Sequence, residues 1–320
     1  MNIAVCGGTA KAVEKVKPDP LNLSVNTGAG KRKSVLLRRF PYLESAFFVG
    51  GILLNYHVLS IAGSDCSGGA GIQADLKTFS ALGTYGMSVV TAVVAENTSR
   101  VLSVQEVPAQ LVGEQIDAIF EDIRVDAVKI GMMYSPSIMS MVARKMKEYQ
   151  MKNIVVDPVM LATGGGTLMQ PEAVEILKEE IIPLSTLLTP NIPEAEVITG
   201  KQINNLEERK CAAGHILRMG AQWVLMKGGH AAGTADDLLC HGKTSMLFSS
   251  ERIPTIHTHG TGCTLSSAIT AGLARGMPVE EAVRVAKNYV TEAIRHAFPI
   301  GKGRGPLHHF YQWEENNENV

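Results

Sequence analysis

The sequence predicts an α/β protein of three layers, α/β/α, built around a mostly parallel central sheet. From Val58 onward, short apolar runs alternate with apolar stripes at helical spacing. The runs are apolar on both faces, as strands covered by helices on both sides must be. Composition agrees: 320 residues, 45% hydrophobic and 19% charged, suffice to bury one substantial core.

The elements follow in order. V-L-S-I-A-G (58–63) reads as a strand, followed by a helix carrying Ile72, Leu76, Phe79 and Leu82. M-S-V-V-T-A-V-V (87–94) reads as one strand before a helix that opens at Pro108 and carries Leu111, Val112, Ile119 and Phe120. A-V-K-I-G-M (127–132) precedes S-P-S-I-M-S-M-V-A-R, and I-V-V-D-P-V (154–159) precedes P-E-A-V-E-I-L-K. L-L-T-P then leads into P-E-A-E-V-I-T-G, and W-V-L-M-K-G-G closes the series. Ligands of such sheets bind beyond the strand C-terminal ends. Those ends hold G-S-D (63–65), A-E-N-T (95–98), K-I-G-M (129–132), D-P-V (157–159), T-P-N-I-P-E (189–194) and K-G-G-H (227–230).

Residues 1–54 break the rhythm. They hold eight Lys or Arg against three acids, whereas the rest of the chain carries an excess of six acids. They are expected to form a basic N-terminal extension, dispensable for folding: a loose appendage, or a leader upstream of a true start near Leu53 or Leu54 at a non-AUG codon. A transit peptide fits poorly, because three acids interrupt the segment. The catalytic domain is expected over 55–313, with a polar tail over 314–320.

Charge and cysteine content exclude several classes. A net charge of −1 gives no footprint for nucleic acid or an anionic membrane. No apolar run reaches the ~18 to 20 residues of a membrane span. Five irregularly spaced cysteines suggest neither a disulfide framework nor a zinc site, and a reducing cytoplasm suits them. G-A-G-K-R-K-S from Gly28 and G-K-T at Gly242 lack the glycine and hydroxyl positions of a phosphate loop.

T-H-G-T-G-C-T-L-S-S-A (258–268) is the stronger anion site. Gly260, Thr261, Gly262 and Cys263 stand where a helix begins, so their N–H groups are expected to converge on an oxyanion. The same field is expected to lower the Cys263 thiol toward a thiolate near neutral pH; the plainer reading is a buried cysteine after a helix-opening turn. Asp157, Asn191 and Glu194 offer hard oxygen ligands suited to Mg²⁺, although Asn191 and Glu194 also have capping-box spacing. Lys227 adds a point charge for a phosphate, completing a set fit for phosphoryl transfer.

These segments, together with S-I-A-G-S-D-C-S-G-G-A-G-I-Q-A-D-L-K-T-F-S-A-L-G-T-Y-G-M-S (60–88), closely resemble the hydroxymethylpyrimidine/phosphomethylpyrimidine kinases of the ribokinase-like superfamily, over about 57–312. The resemblance implies an ATP- and Mg²⁺-dependent enzyme of thiamine biosynthesis. It phosphorylates 4-amino-5-hydroxymethyl-2-methylpyrimidine and then the monophosphate in one site. It implies that Gly63, Asp75, Glu96, Met132 and Val159 line the pyrimidine pocket. Glu96 stands where the family shows Gln or Glu, and its carboxylate suits the 4-amino group or a protonated ring nitrogen. Cys263 falls where sugar-kinase relatives place an aspartate base, so the thiol is expected to act as base or anion-site element. A homodimer is expected. Pyridoxal kinase, alone or combined with the pyrimidine activity, is the rival within the superfamily; a non-catalytic binding protein of the same fold is the rival outside enzymes. A nicotinamide-dependent dehydrogenase is disfavoured by the absence of G-x-G-x-x-G after the first strand.

Overall fold

The computed structural model describes residues 47–48, 51–52, 55–161, 168–229 and 235–313. The chain divides into two compact units, Met1–Leu53 and Leu54–Val320. In the first, two short strands pair antiparallel, β1 (Phe47–Phe48) and β2 (Gly51–Ile52). Most of the basic extension, His230 and the tail over 314–320 lie outside the described residues.

The second unit is ordered β3 (His57–Ala62), α1 (Gly71–Ala81), β4 (Tyr85–Val90), β5 (Ala92–Glu96), β6 (Val101–Glu106), α2 (Ala109–Phe120), β7 (Ala127–Ile130), α3 (Pro136–Glu148), β8 (Ile154–Val156) and α4 (Ala173–Ile176). After α4 the helix widens into a π turn (Leu177–Ile181) and tightens into a 3₁₀ turn (Ile182–Leu184). Then come β9 (Leu187–Leu188), α5 (Ile192–Thr199), α6 (Leu206–Arg218), β10 (Trp223–Met226), β11 (Asp237–His241), β12 (Thr244–Phe248), α7 (Thr261–Ala274) and α8 (Val279–Arg295).

Eight strands form the central sheet in the order β12-β11-β10-β9-β8-β7-β3-β4. From β10 to β4 every pairing is parallel; β11 and β12 add an antiparallel hairpin at one edge. Alternate strand residues feed two cores, as the period of two requires. Leu59, Ile61, Val128, Ile130, Val156 and Met226 pack under α2 to α6, whereas Val155, Leu187, Leu225 and Leu239 pack under α7 and α8. Phe79 of α1 joins Ala271 and Ala274 of α7 over Val58 and Ala127. The three-layer, mostly parallel expectation therefore holds.

Three elements differ from the sequence reading. The run over 87–94 is not one strand: Thr91, fully buried, bends it. Its N–H donates to the Ala62 carbonyl, its hydroxyl to the Met132 carbonyl, and its carbonyl accepts from Val107 N–H. The chain so leaves the sheet and forms the antiparallel β5–β6 ribbon. Charged α6 and the β11–β12 hairpin go unread by a search for apolar runs. The G-K-T at Gly242 is the tight turn of that hairpin.

Candidate active site

Each parallel strand delivers a polar residue to the same sheet edge. Asp157 follows β8 and is 1% exposed, its N–H held by the Ile130 carbonyl. Lys227 follows β10, and its backbone bridges to that of Asn191 beyond β9. The Lys227 ammonium donates to Asp157 Oδ1 at 2.5 Å and lies 3.8 Å from Glu194 Oε2. Thr189 Oγ1 donates to the same Asp157 oxygen at 3.2 Å. Burial opposes the ammonium, but Asp157 and Glu194 hold it well above the usual lysine range. Burial raises Glu194 above the carboxylate range against the pull of Lys227, and Asp157 adds to the rise.

The 258–263 turn meets this ion pair. A side chain built on Gly262 would stand 3.3 Å from Asp157 Oδ2 and 3.5 Å from Lys227 Nζ, so the backbone of α7's first turn faces the pair directly. Gly260 caps the helix at φ +80°, and a Cβ there would collide with the Gly69 carbonyl at 1.8 Å. Only glycine fits, on both counts. Cys263, half-buried, lies between two ion pairs: it feels Lys129 and Asp75 on one side and Asp157 on the other. Burial pushes its thiol up to about 11; Asp75 and Asp157 add to the rise, while Lys129 and the Gly71 backbone oppose it.

Two buried clusters stand behind these loops. Asp75 and Lys129 are both 0% exposed, and Asp75 accepts from Lys129 Nζ (2.8 Å), Ser60 Oγ (2.6 Å) and Ser267 Oγ (2.7 Å). Burial works against the Lys129 ammonium, yet Asp75 holds it charged. Asp65, also 0% exposed, accepts from Ser67, Gly69 and Ala70 N–H groups and from His259 Nε2 at 2.9 Å. Burial opposes its ionisation, but the bonds from His259, Ser67 and Ala70 hold it well below the carboxylate range. Burial lowers the His259 imidazole, while the Asp65 hydrogen bond and charge more than restore it, leaving it above its usual value. Glu96 lies near both, and these three side chains can bring one atom each within 4.8 Å of the others. Burial raises Glu96 to about 7, Asp65 adding and His259 subtracting. Glu96 and His259 line a cavity of about 230 Å³, with Arg100 and Arg304 among its other walls.

The structure brings Gly260, Thr261, Gly262, Cys263, Lys227, Asp157 and Glu194 to one place. Gly63 and Met132 touch: a Cβ on Gly63 would lie 2.8 Å from the Met132 sulfur. Val159 N–H bonds the Asp157 carbonyl, one loop from the site. Three residues stand in settings that the sequence does not display. Asn191 is an N-cap: its Oδ1 accepts from Glu194 N–H at 2.8 Å while Glu194 Oε2 accepts from Asn191 N–H at 2.7 Å, so both side chains serve the capping box and each oxygen keeps a second lone pair. Asp75 is held among Ser60, Lys129 and Ser267, so its carboxylate serves the scaffold behind the loops. The Cys263 thiol is raised, not lowered, since burial and two carboxylates outweigh the helix field. Asp65, His259 and Lys129 sit in these motifs with no spacing of their own to mark them; only the lysine inside the apolar run A-V-K-I is a readable signal.

The donor chemistry fits Mg²⁺: Asp157 and Glu194 are hard oxygens beside the 258–263 turn, and the Asn191 amide oxygen adds a third although it also caps α5. Among the described residues no helix is long and apolar enough to cross a membrane.

Comparison with known proteins bears on the same segments. The phosphomethylpyrimidine kinase family matches residues 65–308. A hydroxymethylpyrimidine/phosphomethylpyrimidine kinase of Rhizobium meliloti is 52% identical over 259 residues, covering 80% of this chain and 97% of that protein. The thiamine biosynthesis bifunctional protein of Geobacter sulfurreducens is 50% identical over 259 residues, 81% of this chain; the chain spans 53% of that longer protein. Among solved structures, an ADP complex of Bacillus subtilis pyridoxal kinase superposes with a TM-score of 0.75 at 40% identity, covering 81% of this chain and 99% of that one.

Proposed function

Since the chain belongs to the phosphomethylpyrimidine kinase family, we propose how its residues carry the family reaction. The chain is a kinase of thiamine biosynthesis: it transfers a phosphoryl group from ATP to a hydroxymethylpyrimidine, then another to the resulting monophosphate. The observation that supports the assignment of roles is the meeting of the 260–263 backbone with the Asp157–Lys227 pair.

Phosphoryl transfer passes through a loose transition state whose charge spreads over the transferred oxygens, so positioning and electrostatics supply most of the catalysis. Lys227, held charged by Asp157, neutralises those oxygens, and the N–H groups of Thr261 to Cys263 donate to them at the helix start. A thiol raised to about 11 is protonated at neutral pH. Cys263 therefore serves as a donor in the anion site, in preference to the base that its position suggested. The acceptor oxygen bonds the γ-phosphorus as the bond from that phosphorus to the ADP oxygen breaks, and with the thiol protonated the acceptor's proton passes to a transferred phosphoryl oxygen and from there to solvent. Gly63, Met132 and Val159 wall the pyrimidine, and Glu96, titrating near 7, reads the 4-amino edge. Asp157 and Glu194 would hold Mg²⁺ through its waters, where the ion would offset phosphate charge. A cytoplasmic homodimer is the setting we expect, checked by light scattering of the purified protein.

The deciding experiment follows ATP consumption with the pyrimidine alcohol, its monophosphate and pyridoxal in parallel, with and without EDTA. Turnover of both pyrimidines, lost in EDTA and restored by Mg²⁺, is expected. Turnover of pyridoxal alone would overturn the substrate assignment in favour of the pyridoxal kinase reading, and no turnover of any acceptor would leave a binding protein of this fold.

A further inference from the structure

We propose that Asp65 and His259 act together as positioning residues, clasping the first glycine-rich loop to the 260–263 turn so that its N–H groups sit in register for phosphoryl transfer. The inference rests on reading that turn as the anion-binding element.

The loop over 63–71 and the turn over 258–263 are distant in sequence and in direct backbone contact. A Cβ on Gly260 would stand 1.8 Å from the Gly69 carbonyl, and one on Gly69 would stand 2.5 Å from His259 Cδ2. Two backbones packed this closely transmit any shift of one to the other, so whatever fixes the first loop fixes the turn. Asp65 gathers its own loop first, through N–H bonds from Ser67 (2.7 Å), Gly69 (2.9 Å) and Ala70 (2.7 Å), while its own N–H is fixed by Gln73 Oε1. The oxygen that holds Gly69 and Ala70, Oδ2, also takes the bond from His259 Nε2 at 2.9 Å. His259 is tied from the other side as well, its N–H donating to the Gly305 carbonyl. The next residue is Gly260, whose carbonyl accepts both the N–H and the hydroxyl of Thr264 and so carries the alignment into the first turn of α7.

Charge gives the pair a second reason to exist. A fully enclosed carboxylate beside an anion site would repel the phosphates that the site binds. The N–H of His259, directed at Asp65 Oδ2, lessens that field without spending an N–H of the turn, and the imidazolium form offsets it fully.

The test uses the whole chain and two readouts. The first is kcat and KM for the pyrimidine alcohol; the second is the rate at which iodoacetamide alkylates Cys263 in substrate-free protein, which reports the turn whether or not the substrate assignment is right. His259→Ala should lower kcat ten- to hundredfold, the scale of about a 1 Å misplacement, with KM for the pyrimidine within about twofold, and should speed Cys263 alkylation. His259→Gln, whose amide nitrogen reaches about as far as Nε2, should recover most of both. Gly69→Ala, which pushes the ring aside and removes no polar group, should reproduce His259→Ala, and the double variant should be no worse than either single one. The clasp is overturned if His259→Ala leaves kcat unchanged, if it lowers the melting temperature with kcat of the folded protein intact, if Gln rescues nothing, or if the two losses multiply. Should His259→Ala fail to fold, Gly69→Ala and His259→Gln carry the same comparison. A wild type inactive on every acceptor but showing the alkylation pattern would sink the functional reading and keep the clasp.

Discussion

Replacing Asp75 by Asn leaves the Lys129 ammonium at 0% exposure without its carboxylate, while the two hydroxyls of Ser60 and Ser267 keep an amide partner of nearly the same shape. Removing one partner of a buried ion pair costs about 3–5 kcal/mol, because the remaining charge has nowhere to go. At roughly 2–4 °C per kcal/mol for a domain of this size, the melting temperature should fall by about 6–20 °C. Asp75→Asn combined with Lys129→Met removes both charges, leaves the Ser60 and Ser267 hydroxyls an amide partner, and should return most of that stability. The assay is thermal unfolding followed by circular dichroism, with KM for the pyrimidine alcohol measured on the same samples below the transition. If Asp75 is scaffold, the double variant regains both stability and pyrimidine affinity. A single variant melting within about 2 °C of wild type would refute the energetics. A double variant that regains stability yet not affinity would refute the reassignment and return Asp75 to the pyrimidine pocket.

Gly260→Ala should abolish measurable kcat, since the new methyl meets the Gly69 carbonyl at a positive φ; near-normal turnover would show that the two loops can part. Cys263 should be alkylated more slowly than free cysteine at pH 8, accelerating as pH approaches 11; mass spectrometry of the labelled peptide checks this, and rapid labelling at pH 7 would restore the thiolate. Glu96 binds its proton more tightly folded than unfolded between pH 4.5 and about 7, so its contribution to stability falls as pH rises through that window. Glu96→Gln should therefore melt higher than wild type at pH 8 and alike at pH 4, and the opposite order would contradict the raised carboxylate. A chain beginning at Asn55 should retain its melting temperature and kinase activity if residues 1–54 are dispensable; aggregation or a melting point several degrees lower would show that they belong to the fold.

What the sequence discloses follows from how local each signal is. Parallel strands buried on both faces announce themselves as apolar runs, and the residues at their ends, Asp157 and Lys227 among them, are found by reading where each run stops. Thr91 carries no such mark: it sits inside an apolar run, and its bend depends on carbonyls at Ala62 and Met132, far away in sequence. Asn191 and Glu194 illustrate the reverse case, in which one spacing serves two chemistries and only geometry shows the amide oxygen capping α5 with a second lone pair kept. The rise of the Cys263 thiol is illegible in the sequence because the helix field is local, whereas Asp75 and Asp157 approach from other strands and helices. Asp65 and His259, 194 positions apart, meet only once the sheet is assembled.

Helix α7 is buried along its whole length from Thr264 to Ala274 and rests on β3, β7 and β8 as well as on α1 and α8. During synthesis this imposes an order of events. By the time Met226 completes β10, the strands beneath α7 already present Val155, Leu187 and Leu225 on a face of which α1 covers only the Val58 and Ala127 end. At about 5–20 residues per second, that face waits roughly 2–10 s before Ala274 emerges. A nascent chain in that interval is sticky and catalytically inert, because the segment that shields the sheet also carries the phosphate-facing turn. Shielding and activity thus arrive together, and a ribosome stalled between β10 and α7 would leave a chain bound for chaperones or aggregation, with no partly active kinase among the products.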